Sequence, residues 1–176
     1  MSHHANLTAL VRLYRTHNRP HSVKEVNFFR NMPSLELAAH HAALATDGRG
    51  KRYSHQCRIS NAPLNRAKQI LSQSLSQIEK FSSFHELHSW LAETLSTVRG
   101  LGELYVYDTA FRLGAFRRLA PEFVYLHRGT RVGASALGLQ ISGSYLKMVD
   151  LPKPLHTLPP HEVEDFLCIY KGHFTK

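Results

Sequence analysis

The amino-acid sequence predicts a mainly α protein, read as a single compact helical domain. Three observations carry this: apolar residues recur at helical spacing in several segments, an S-x-x-E capping box opens one of them, and an alanine-rich run follows a proline. "NLTALVRLYR" sets Leu7, Leu10, Val11 and Tyr14 on one face, which places the first helix. "HNRPHS" is expected to break it. Pro33 then opens "PSLELAAHHAALA", where a missing N–H costs little at an early helical position. "TDGRGKRYSHQCRIS", Thr46 to Ser60, is the longest irregular stretch, and it holds Arg49, Lys51, Arg52 and Arg58 beside Tyr53 and His55.

Asn61 and Pro63 start the next helix, with Leu64, Ala67, Leu71, Leu75 and Ile78 on its apolar face. Ser83 and Glu86 form the capping box, and Phe84, Leu87, Leu91, Leu95 and Val98 continue as a stripe up to two glycines, Gly100 and Gly102. The helical pattern resumes from Leu104 to Phe116. "EFVYLH" fits either a short extended piece or a buried helical turn. Thr130 is the expected cap of "RVGASALGL". A proline-rich connection then leads to a last helix lined by Val163, Phe166, Leu167 and Tyr170. Residues 1–60 read as N-terminal helices and a basic loop, and residues 61–176 as a helical core, in one domain overall.

Charge is the most informative part of the composition. Among 176 residues, 22 Lys and Arg face 13 Asp and Glu, a formal net charge of +9. The sequence pI of about 9.8 favours a polyanionic partner, most commonly nucleic acid. No apolar run has the length to span a membrane, and the start "MSHHANLTAL" lacks the parts of a secretory signal, so the expected location is the cytoplasm. Cys57 and Cys168 are too far apart in sequence for a metal-ligand pattern, which predicts free thiols and excludes an iron–sulfur cluster. His85 and His88, three apart, do not make a zinc-protease signature, and His40 and His41 are adjacent. No metal or other cofactor is expected.

Why should a helical run be broken by Gly-Leu-Gly and resume at once? One glycine suffices to turn a chain, whereas two flanking an apolar residue suit a backbone that a ligand approaches closely. A helix, this turn and a second helix, at about residues 84–116, resemble the helix-hairpin-helix motif of DNA-binding proteins, with Leu95, Val98, Gly100, Leu101, Gly102, Val106 and Ala110 at its apolar and glycine positions. The physics agrees with the resemblance, because unpaired N–H groups at the start of the second helix favour an anion. The resemblance implies a grip on the phosphates of duplex DNA through Arg99, Gly100, Leu101, Gly102, Glu103 and Leu104. Arg112, Arg117, Arg118, Arg128, Thr130 and Arg131 are expected as a surrounding rim. DNA repair, maintenance or defence is the implied setting.

The stretch from Ser83 to Leu139 is also similar to the helix-hairpin-helix DNA glycosylases, whose catalytic Asp follows the hairpin. Here no Asp or Glu occurs between Glu122 and Asp150, and Glu103 and Leu104 stand where the bifunctional branch carries a lysine. If the chain is an enzyme that excises a modified base, His127 or Asp108 must replace the missing carboxylate. Asp108 also stands four residues before Arg112, a spacing that predicts a same-face ion pair. A helical protein-interaction module, whose glycines only turn the chain, is the remaining alternative.

Overall fold

A computed structural model describes residues 3–174 of the chain. The protein is mainly α. Among the described residues there are nine α-helices, several short 3-10 turns and one two-stranded sheet. Contacts divide the chain into two compact units, one formed by its two ends (up to Val23 and from Pro121) and the other by Lys24–Ala120. The boundary expected near residue 60 falls inside this central unit.

In the terminal unit, α1 (His3–His17) buries Leu7, Leu10, Val11 and Tyr14 as the spacing predicts. "EFVYLH" contains a strand, β1 (Val124–Tyr125), paired antiparallel with β2 (Tyr145–Leu146), so that Val124 faces Leu146. Helix α8 (Arg128–Ala136) packs on α9 (Pro160–Tyr170), whose Val163, Phe166 and Leu167 are buried. The approach is close enough that a Cβ on Gly133 would lie 2.1 Å from the Leu167 carbonyl oxygen. Glycine is required there by space and not by backbone angle.

The first helix ends within "HNRPHS", as expected, but a further helix, α2 (Arg19–Arg30), starts inside the same segment. Only Asn18 interrupts the helices, and Pro20 lies in the first turn of α2, where an absent N–H breaks no bond. In the central unit, Ser34 caps α3 (Leu35–Leu44) by accepting from the Leu37 N–H, so Pro33 lies just before the helix rather than inside it. Ala38, Ala39, Ala42 and Ala43 are all buried, and α3 packs on both α4 (Asn61–Gln73) and α7 (Glu103–Arg117). A short α5 (Leu75–Ile78) follows the break at Ser74. The Ser83–Glu86 capping box is formed in both directions at the start of α6 (Phe84–Leu95). The irregular stretch from Thr46 to Ser60 is a loop, fastened by a bridge between Thr46 and Arg52.

Candidate nucleic-acid interface

Helices α6 and α7 pack against each other as a hairpin, with the rings of Phe84 and Tyr107 6.2 Å apart in an edge-on arrangement. The stripe Phe84, Leu87, Leu91 and Leu95 is wholly buried beneath it. His88 packs on the same rings, and burial pushes its imidazole down to about 4. Between the helices the chain tightens, with the Val98 N–H donating to the Leu95 carbonyl and the Leu101 N–H to the Val98 carbonyl. Gly100 has a φ of 97°, in the left-handed region that favours glycine.

Gly102 differs from it. Its φ of −106° suits any residue, it is exposed, and a Cβ added to it would meet no atom within 4 Å. It is the N-cap of α7 and provides no side-chain acceptor, so the first N–H groups of that helix are not capped by it. A phosphate oxygen is the kind of acceptor such a terminus takes. Glu103 occupies the first turn and opposes an anion there, while Arg99, immediately before Gly100, is exposed.

The other expected rim residues divide. Arg118, also in the central unit, is exposed as the left-handed C-cap of α7. Arg117 is partly occupied, donating to the carbonyls of Glu79 and Phe81. Arg128, Thr130 and Arg131 belong to the terminal unit; Arg128 is exposed, Thr130 is fully buried, and Arg131 donates to the Leu126 carbonyl. Arg112 is not on a rim at all. Its side chain is 1% exposed, and its guanidinium donates to Glu25 at 2.8 Å and to Gln56 at 2.9 Å.

Arg112 is the centre of a polar network under the basic loop. Its guanidinium carbon stands 4.3 Å from the Tyr53 ring centroid, a cation–π arrangement. Burial works against its charge, but Glu25 and Asp108 more than offset this and hold its pKa above the ordinary value. The expected direct pair between Asp108 and Arg112 is absent from the hydrogen bonds. Asp108 Oδ2 instead accepts from Gln56 Nε2 at 2.7 Å and from His55 Nε2 at 2.9 Å. Gln56 thus relays between the arginine and the aspartate, and the loop is fixed to α7 through side chains. Glu25 and Gln56 carry no sequence signal for such a group, whereas His55 stands out beside the cations of the basic loop.

His127 stands at the start of α8. It, and not Thr130, caps α8: Nδ1 accepts from the Gly129 N–H at 3.1 Å, and Thr130 completes a capping box by accepting from the His127 N–H. Nδ1 therefore bears no proton, so Nε2 bears it and donates to Glu164 Oε1 at 2.6 Å. At 3% exposed, with both ring nitrogens engaged, His127 reads as a helix cap. Tyr105, Tyr107 and Tyr125 are buried, and the Tyr105 hydroxyl donates to the Ala43 carbonyl at 2.6 Å; none is open to stack on a base.

Comparison with protein-family models, curated proteins and solved structures found no match to this chain.

Proposed function

We propose that the protein binds duplex DNA through its phosphate backbone, using the α6–α7 hairpin as a helix-hairpin-helix. The observation that carries this reading is Gly102: an exposed glycine with open space at its Cβ position, at the uncapped start of α7. Its φ does not require glycine, and the open space at its Cβ position leaves room for a ligand to approach the first N–H groups of α7. Net positive charge supports a polyanionic partner, and Arg99 and Arg118 supply exposed cations in the same unit. Contacts of this kind position a duplex without reading its sequence.

Fluorescence anisotropy with labelled duplexes across a salt series tests the reading. Affinity is expected to depend weakly on sequence and to fall steeply with salt as counterions are released. Gly102→Val is expected to lower affinity by about tenfold with only a small fall in melting temperature from the poorer N-cap, because the branched side chain meets DNA and not protein. A flat salt response, or no binding at low salt, rejects DNA as the partner. Full affinity in a normally folded Gly102→Val leaves the glycines as a chain turn, as in a protein-interaction module.

One observation favours a second reading, a glycosylase acting on a modified base. Asp108, on the second helix of the hairpin, is paired with a partly exposed His55 of the basic loop, so a carboxylate and an imidazole lie together. Duplexes carrying modified bases, treated with alkali after incubation, would break at abasic sites; breaks that vanish in Asp108→Asn would establish that activity.

A further inference from the structure

The basic loop has cations of two kinds. Arg52 is consumed internally, donating to the Ile59 carbonyl at 2.7 Å and to Asn61 at 2.6 Å, and Arg49 turns back to Asp47. Lys51 and Arg58 are exposed and enter no ion pair among the described residues. Between them in sequence lies His55, whose side chain is 45% exposed yet held in place. Its Nε2 is bonded to Asp108 and its ring stacks on Tyr53 at 6.1 Å, while Nδ1 has no hydrogen bond among the described residues.

Asp108 settles where the first proton of this ring resides. A carboxylate only accepts, so the nitrogen facing it, Nε2, bears the hydrogen. The neutral ring then offers a bare lone pair at Nδ1, which repels a phosphate oxygen. A second proton turns Nδ1 into a charged donor, the form a phosphodiester accepts. The charged and titratable groups around the ring are Asp108 and Arg112 from α7, Glu25 from α2, and Tyr53 from its own loop. The hydrogen bond to Asp108 has the largest effect and raises the imidazole above its ordinary value, against burial and Arg112.

We propose that His55, with Lys51 and Arg58, forms a second phosphate-binding site of the central unit, and that His55 takes up one proton when a DNA backbone binds there. This rests on the DNA-binding reading above and adds to it a contact outside the hairpin and a coupling to pH. The sign follows from the tautomer. The contact is made below the raised pKa of His55 and lost as pH rises through it, and bound DNA raises that pKa further.

The test is duplex affinity at constant ionic strength from about pH 5.5 to about pH 8.5, for the natural protein, His55→Gln and Gly102→Val. A single linked proton changes affinity by at most about tenfold per pH unit. The other histidines contribute a background common to the first two proteins, so the reading is the difference between their curves. The expected result is about tenfold tighter binding by the natural protein at the acid end, with convergence at the alkaline end. NMR titration of the His55 imidazole, which does not depend on a variant, should show its pKa rising when duplex is added. Parallel curves and an unmoved His55 titration overturn this site; if Gly102→Val still weakens binding, the hairpin reading survives. Loss of the pH difference in His55→Gln beside an unaffected Gly102→Val supports the loop site and removes the hairpin. No binding at any pH rejects both.

Discussion

Arg112 shows how much one side chain's surroundings decide. Its place in the sequence, one of several arginines after a glycine hairpin, suggests phosphate; its fully buried guanidinium is committed instead to Glu25, Gln56 and the face of Tyr53. Methionine matches the length of its stem but leaves the Glu25 carboxylate without its counter-charge and the Gln56 carbonyl without its donor. Removing one member of a buried pair costs about 3 kcal/mol. Glu25 is 22% exposed and recovers some hydration, which keeps the cost from rising further. Chemical denaturation of Arg112→Met should therefore show a loss of about 3 kcal/mol, and under the proposed function its duplex affinity, measured under folding conditions, should change less than that of Gly102→Val. None of this pairing is local, since Glu25 and Gln56 lie 87 and 56 positions from Arg112 in sequence. Periodicity reports which face of a helix is wet only when the residues are apolar, and it is silent on an arginine that brings its own partners inside.

At the scale of the element, signals written within a few residues were legible. The Ser83–Glu86 capping box and the stripe from Phe84 to Leu95 were read from short windows and are formed as read. Helix α2 was not, because proline and histidine at its start look like a break until the first turn is seen to need no N–H from Pro20. The cap of α8 was displaced from Thr130 to His127, an unusual N-cap whose ring orientation depends on Glu164, 37 positions away. The crossing of α8 and α9 offers a test that separates packing from backbone freedom. Gly133→Ala adds one methyl group at 2.1 Å from the Leu167 carbonyl oxygen and 2.8 Å from its carbon, both main-chain atoms that cannot rotate aside. Helix propensity alone would make alanine stabilising, by about 1 kcal/mol. Overpacking against a backbone outweighs this, so thermal melts should show a net destabilisation of about 2 kcal/mol.

For the whole molecule, the mainly α class was legible because helical periods repeat within each segment, while the division into two units was not. No composition shift marks Val23 or Ala120, and the pairing of the chain's two ends leaves no trace in either end alone. Tyr14 donates to Asp165 at 2.9 Å, a contact 151 residues apart, and the apolar face of α1 shares a core with Val163, Phe166 and Leu167. During synthesis this sets an order. Everything from Lys24 to Ala120 is made after α1 and before the residues that share its core, so α1 gains that core only after the central unit has been synthesised. Until the residues from Val124 onward emerge, Leu7, Leu10 and Val11 lack these companions and face water or a chaperone. Chains stalled short of Pro160 should therefore resist protease within 24–120 and be cut in α1, and release of the full chain should protect both.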